Sequence, residues 1–545
     1  MKKMKKMKKM KKMKKMKKMK KTFALKTVVI LLSTVSLVGC AELDENPDFT
    51  TQDNFFETAE QLELGVNAAY DGLTQGDGWF NHYYDRFVFE CVPGYQVGHE
   101  KGPLNYQSGN ISSDDEYIQN YFDISYDNIN RANSVIQKAD VLLDEGAPNS
   151  SLVDRVKAEA QFLRALYYFN LVRYFDDIPV TSTRTESAND LPSNENGKRK
   201  ALDLIQSDLT TAANILPETY SNAEDAGRAT KWAALTLLVK AYLQDEKFND
   251  ARVTAKDIID NGGFSLFDDY SKTFSAEYEN SGPRIFEAQV SSSANVAEYL
   301  NTHPHFVPRD LPNDLGGVGW HWLNTTQSFK EKYDPDDKRI DGTFINEYPT
   351  TRVERNAAGE RPVVKWSADA PYNLSATGGI VSADADPNNP DELIYSAGWS
   401  AKYTEVGISN PYLNEKNVVY LRYADVLLAH SEAANETGTG DPYFGINKVR
   451  ERAGLSPLSG LNKGTLRDAI MNERVMEFAM ENEVYPELKR KSTFGGSPDY
   501  LGEYIQDFID TYNVDRTLSP KDYVLPLPLN EVLGNPNVTQ NPQYQ

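Results

Sequence analysis

The sequence predicts a mostly α-helical protein: a scaffold of stacked helices, of the α-solenoid kind, carrying a large irregular mixed insertion. Three observations lead there. From Ser151 to Pro179 two apolar stripes run at helical spacing, Val156, Ala160, Leu163 and Tyr167 on one side and Phe162, Leu166, Phe169 and Val172 on another, so this helix needs cover on two faces. Thr230 to Gly263 reads as a helical hairpin. Its positions Leu238, Val239, Tyr242, Phe248, Ala251, Ala255 and Ile258 follow the packing pattern of a tetratricopeptide repeat, although an ordinary hairpin describes much the same packing. Between residues 264 and 416 the helical period fails and Gly, Pro, Asn and Asp accumulate, over a span too long to be one loop.

Taken in order, the chain opens with seven copies of Met-Lys-Lys, a low-complexity run with nothing to bury. From Met19 a basic start leads into an apolar run, Val28 to Val38, too short to span a bilayer but of signal-peptide length. Residues 1–39 are therefore set apart from the fold as a signal segment. Leu37-Val38-Gly39-Cys40 resembles a bacterial lipobox, which makes Cys40 the expected site of lipidation and of anchoring to outer-membrane lipid. With Cys40 acylated, Cys91 has no partner for an intrachain disulfide and reads as a small buried hydrophobe. From Cys40 onward 43 basic residues stand against 79 acidic ones, a net charge of −36. Such a surface repels phosphate backbones and excludes nucleic acid as a partner.

Thr58 sits before a helix whose buried face is Leu62, Val66, Ala69 and Leu73; the aromatic stretch after it, through Tyr83, Tyr84 and Phe89, has no period and reads as irregular. Helices are expected over Asp114 to Leu143, then from a capping box of Ser151 and Asp154 to a stop at Pro179, then over Ala201 to Leu216. Ile285 to Val290 reads as a strand. Beyond it, Asn417 to Gly438 is expected as one helix, Ile446 to Leu455 as another, and Thr465 to about Glu483 as a third, broken by Pro486. The Pro- and Asn-rich tail is expected to lie extended over the body.

Several separated stretches read together carry a family resemblance. The lipobox at Cys40, AEAQFLRALYYFNLVRYFDDIPV, GRATKWAALTLLVKAYL, VVYLRYADVLLAHSEAAN, INKVRERAGL, NERVMEFAMENEVYPELKR and the closing VLPLPLNEVLGNPNVTQNPQY resemble, in this order, the SusD/RagB family of Bacteroidetes nutrient-binding lipoproteins. The resemblance implies a helical fold with four tetratricopeptide-like units. It also implies a cell-surface role, binding a nutrient, foremost an oligo- or polysaccharide, and delivering it to a TonB-dependent SusC-like transporter. The parts are then an N-terminal helical part (residues 40–263), an irregular insertion with candidate ligand-binding loops (264–416), and a C-terminal helical part with an extended tail (417–545).

Sugar capture needs flat apolar surfaces for ring C–H faces and a few polar groups to fix hydroxyls. Two clusters supply both: Trp79, Asn81, Tyr83 and Tyr84, and Trp320, Trp322 and Asn324. The competing classes are a surface glycoside hydrolase and a scaffold that binds peptide or protein. Hydrolysis needs two carboxylates across a cleft; Glu473, Glu477 and Glu481 align at four-residue steps, and read as the polar face of a helix. Tyr167, Tyr168 and Tyr174 read as packing rather than a cofactor box. No catalytic residues, cofactor or metal are expected. Calcium is weighed at Asp334, Asp336 and Asp337 and at Asp384, Asp386 and Asn388, and a metal at His303 and His305; the first loop lacks the next oxygen ligand and the glycine of an EF-hand, and the second has Asn389 at the glycine position and Tyr395 where the bidentate acid belongs.

Overall fold

The computed structural model describes residues 56–74, 82–98, 101–185, 190–290, 305–308, 310–315, 322–351, 358–367, 384–385, 393–395, 398–404 and 416–545, with a few isolated positions between them. Cys40 lies outside the described residues, as do Trp79, Asn81, His303, Trp320, Asp386 and Asn388.

Helix α1 (Ala59–Asp71) starts at a true capping box: Gln61 N–H donates to Thr58 Oγ1 at 3.3 Å, and Thr58 N–H donates to Gln61 Oε1 at 3.0 Å. After α2 (His82–Phe89), strand β1 (Gln96–Gly98) and α3 (Lys101–Gln107) come the long helices α4 (Glu116–Asp144) and α5 (Ser150–Phe175). The scaffold continues with α6 (Gly197–Ile215), α7 (Lys231–Gln244) and α8 (Phe248–Asn261). Consecutive helices from α4 to α8 pack on one another, and α8 then packs on α11 (Tyr423–Thr437) across the insertion. The insertion holds β2 (Arg284–Ala288), β3 (Leu323–Thr325), α9 (Gln327–Lys330), α10 (Ile340–Thr343), β4 (Glu347–Pro349), β5 (Val363–Trp366), β6 (Asp384–Ala385) and β7 (Leu393–Tyr395). Strand β8 (Val418–Arg422) precedes α11; after it come α12 (Phe444–Arg452), α13 (Lys463–Glu477), α14 (Val484–Arg490), α15 (Tyr500–Tyr512) and α16 (Leu529–Gly534). One core runs from Ala59 to Val538. The chain is therefore mostly helical, as its periodicities predict.

Helix α5 is buried on every side from Ala158 to Phe175, which goes further than the two covered faces read from its stripes. Its start differs from expectation. The helix begins at Ser150 after Asn149, so Ser151 and Asp154 are already inside it and form no capping box. It stops at Asp176, in the left-handed region at φ 58°, three residues ahead of Pro179. The tyrosines hold neighbours in place: Tyr167 donates to Ala69 O and Tyr168 to Thr181 O, both at 2.9 Å, while Leu525 N–H from the tail donates to Tyr174 O at 3.0 Å.

Three further expectations are corrected. Residues 82–89 form helix α2 where an irregular segment is expected: the helix is only two turns long, and its polar face of His82, Asp85 and Arg86 is buried along with the apolar one. Val418–Arg422 is not the first turn of α11 but strand β8, paired antiparallel with β2; its β-branched start suits the pairing. The helix expected from Thr465 to Glu483 ends at Glu477. Met480 and Asn482 take left-handed φ of 59° and 63°, Tyr403 donates to Met480 O at 2.7 Å, and Lys402 Nζ donates to Ala479 O at 2.7 Å. Pro486 sits in the first turn of α14, where a missing N–H costs nothing.

Glu473, Glu477 and Glu481 are not a solvated face. Glu477 is fully buried and accepts from Arg422 (2.6 Å), Arg452 (2.6 Å) and Arg339 (3.0 Å). Glu473 pairs with Arg339 and Arg450, and Glu481 with Lys402 and Arg422. A second group adjoins it: Asp425 bonds Lys240 and Arg474, Glu432 bonds Arg490, and Glu483 bonds Arg173, Arg86 and Lys240. Burial alone would raise these acids, yet the cations beside Glu477 hold its carboxyl well below the usual range, and Arg173, Lys240 and Arg86 hold Glu483 at about 2. Glu90 behaves oppositely. Burial pushes its carboxyl up to about 7, against hydrogen bonds from Tyr95 Oη and Tyr485 N–H.

Removing one partner from a buried network leaves charge uncompensated, so Glu477→Ala is expected to cost about 3–5 kcal/mol in urea denaturation. The two kinds of acid also give a pH profile. Glu483, depressed in the folded chain, contributes stability that is present above pH 4.5 and lost as pH falls towards about 2. Glu90, raised, contributes stability that is present below pH 4.5 and lost as pH climbs through about 7. Denaturation midpoints across this range should therefore show the wild type gaining on Glu90→Gln as pH drops from about 7 to 4.5; parallel curves would contradict the assignment.

Candidate functional site

The segments carrying the two sequence clusters converge. Strand β1, eight residues beyond Val88 in the α2 segment, pairs antiparallel with β3, setting Val97 opposite Asn324 and Gln96 opposite Thr325. Gln96 Nε2 donates to Phe87 O at 2.6 Å and Thr326 N–H donates to Tyr95 O at 2.8 Å, so α2, β1 and β3 are locked together. Across this junction the Tyr84 ring stacks on His305 with centroids 3.8 Å apart at 28°, and His305 meets Trp322 at 4.8 Å and 64°. Tyr117 of α4 lies behind, 6.3 Å from Tyr84.

Of the four candidates that are described, Tyr83, Tyr84 and Asn324 are buried and Trp322 is partly exposed. Tyr83 packs edge-on against Phe87 at 5.2 Å, and its Oη is 3.4 Å from Tyr403 Oη; burial drives its phenol well above the ordinary value. Asn324 lies in the β1–β3 ribbon. Trp232 is buried on α7.

Beside this junction is a feature with no signal in the sequence. Strands β4, β5, β7 and β6 form one small mixed sheet, in that order, over a second core of Val307, Leu311, Tyr348, Val364 and Trp399. It meets β3 at Gly398, where Thr325 N–H donates to Gly398 O at 2.9 Å and Gly398 N–H donates to Thr325 O at 3.1 Å. At its edge the Lys330 ammonium lies 3.9 Å from the Trp366 ring centroid and donates to Asn346 Oδ1 at 2.7 Å. Burial brings that amine down to about 7. A lone lysine in an aperiodic stretch gives no warning of this.

Among the described residues no group of three or more His, Cys, Asp and Glu side chains could hold a metal. Asp337 is buried against Arg339 at 2.7 Å, and His305 is held between two rings. Cys91 is buried, and desolvation raises its thiol far above the ordinary value. No helix among the described residues is long and apolar enough to cross a membrane.

A stacked-helix scaffold with an irregular aromatic insertion defines the class, and comparison with known proteins gives the family. The model of the SusD family matches residues 260–544, and a second model, described as starch-binding associating with outer membrane, matches residues 43–243. This chain belongs to the SusD/RagB family. A SusD-like protein of Formosa agariphila is 26% identical over 553 aligned residues, covering 95% of this chain and 99% of the relative. Among solved structures, a laminarin-binding SusD-like protein superposes with TM-score 0.68 at 21% identity, covering 89% of this chain and 100% of its own. Surface glycan-binding protein A from Bacteroides uniformis superposes at 0.69 and 20% identity, covering 90% and 100%. These likenesses show the tetratricopeptide-like fold.

A Cβ at position 398 would stand 1.9 Å from Thr325 Oγ1. Gly398→Val is therefore expected to part the second core from β3, seen as new cleavage within residues 398–404 in limited proteolysis; an unchanged digest would show that the junction does not hold the small sheet.

Proposed function

We propose that this chain is a non-catalytic glycan-binding lipoprotein of the outer membrane, anchored through Cys40, facing the cell exterior, and delivering an oligo- or polysaccharide to a TonB-dependent SusC-like transporter. The observation that carries the reading is the partly exposed indole of Trp322, backed by buried rings at the junction of two aromatic segments. A flat apolar face with polar neighbours is the usual means of gripping a sugar ring. Family membership supports it, as does a structural neighbour described as laminarin-binding. The chain's acidity favours a neutral ligand over a polyanion.

A hydrolase would need an acid with a raised pKa facing a second carboxylate across an open cleft. The aligned acids offer neither, since Glu477 is buried among three arginines that keep it ionised. Trp79, Asn81 and Trp320, neighbours in sequence of the described ring residues, complete the proposed site, in which Trp322 meets the ligand and the buried Tyr83, Tyr84 and Asn324 support it from behind.

Affinity electrophoresis of the protein from Ala41 through gels containing laminarin or starch tests this. Retardation by at least one glycan is expected, with Trp322→Ala and Trp320→Ala each weakening binding about tenfold, the worth of one stacked ring. Free migration against these and a wider set of polysaccharides would remove the reading, and release of reducing sugar would favour the hydrolase.

A further inference from the structure

Trp322 combines partial exposure with a ring contact to His305, and His305 belongs to neither segment of the proposed site. His305 is completely buried. Its ring is nearly parallel to Tyr84 at 3.8 Å and presents to Trp322 at 64°, so one imidazole converts the fixed plane of Tyr84 into a steeply inclined plane for the indole. Tyr84 is itself immobile, since every side chain of α2 is buried and α2 is pinned to β1 through the Gln96 to Phe87 bond.

We propose that His305 is a positioning residue, a wedge between Tyr84 and Trp322 that sets the tilt of the indole towards the ligand. The proposal rests on the reading of Trp322 as a glycan contact. The warrant is steric. Ring pairs prefer tilted or offset arrangements with centroids about 4.5–7 Å apart, and a T-shaped contact restrains the plane of a ring that only partly reaches solvent. A pre-set plane also spares the ligand the cost of immobilising the side chain, about 0.5–1.5 kcal/mol. The same packing argument explains why an interior position carries a ring here: a void leaves its lining without partners, and Trp322 would fall into it.

The test separates the wedge from the glycan reading. The protein is labelled with 5-fluorotryptophan at its six tryptophans, and the Trp322 signal is assigned by its loss in Trp322→Phe. In fluorine NMR, His305→Ala is expected to move the Trp322 resonance by more than its linewidth and leave the other five signals in place, whereas His305→Phe, which keeps a flat ring, retains the original position. Should the alanine variant fail to fold, His305→Leu fills the space without a flat ring and serves in its place. In laminarin and starch gels the ring-less variant is expected to lose about tenfold in affinity and His305→Phe to recover it. A Trp322 signal that stays in place in a folded ring-less variant overturns the wedge, and a shifted signal with undiminished glycan affinity overturns its role in binding. If the wild type binds neither polysaccharide, the glycan reading fails, and the resonance comparison still decides whether His305 sets the indole.

Discussion

The buried carboxylate of Glu477 is the interaction on which the rest of the structure depends. Three guanidiniums converge on it, Arg339 from the insertion, Arg422 at the end of β8, and Arg452 at the end of α12. The adjoining group brings in Arg86 of α2, Arg173 of α5 and Lys240 of α7 through Glu483 and Asp425. Helices α2, α5 and α7, the insertion, β8 and α12 thus each send a charge to these two adjoining groups. Such pairs add little net stability against an apolar core, because desolvating the ions consumes most of the attraction. Their effect is on uniqueness: a misdocked insertion or a slipped α13 would leave several buried charges without partners, at several kcal/mol each. The strand pair β2–β8 is set by the same logic, as Arg284 opposite Arg422 binds Glu287 while Arg422 reaches Glu477 and Glu481.

That central network was hidden in the sequence by the feature that made its acids noticeable. Glu473, Glu477 and Glu481 recur at four-residue steps, the mark of an exposed helical stripe, and their partners are scattered from Arg339 to Arg452. Spacing reports which side chains share a face; it is silent on what covers that face. The helices themselves were legible wherever one side differs from another, as in α1, α4 and the α7–α8 hairpin. Complete burial did not by itself hide a helix, since α5 was read from its stripes; legibility failed in short elements. Helix α2 went unread because it is only two turns long and its polar face, His82, Asp85 and Arg86, is buried with the rest, and β8 merged into α11 because its residues are apolar on both sides of the strand-to-helix boundary.

The candidate site was legible in residue type and not in arrangement. Aromatic and amide residues in aperiodic segments pointed to the regions around Tyr84 and Trp322. Nothing in their spacing, however, announced that β1 would pair with β3 or that His305 would stand between the rings. Tyr83 and Asn324 show the cost of judging by type alone: one is packed against Phe87 and Tyr403, the other is buried in a ribbon, so each supports its neighbours more than it faces solvent. Lys330 went unnoticed for the converse reason, since its meaning lies in the Trp366 ring beside it.

The two halves of the molecule are therefore held by different physics. Scaffold helices share one continuous core and a charge network in which each ion has several partners, so a single change there propagates. Among the described residues the aromatic junction is held by a three-residue strand pair, a bridge at Gly398 and a column of rings. That difference gives a family built on one scaffold a physical route to differing ligand faces, because the partly exposed Trp322 packs on His305, while it is the buried Tyr83 that ties the junction to the network through Asn482, which donates to Tyr83 O and accepts from Arg86.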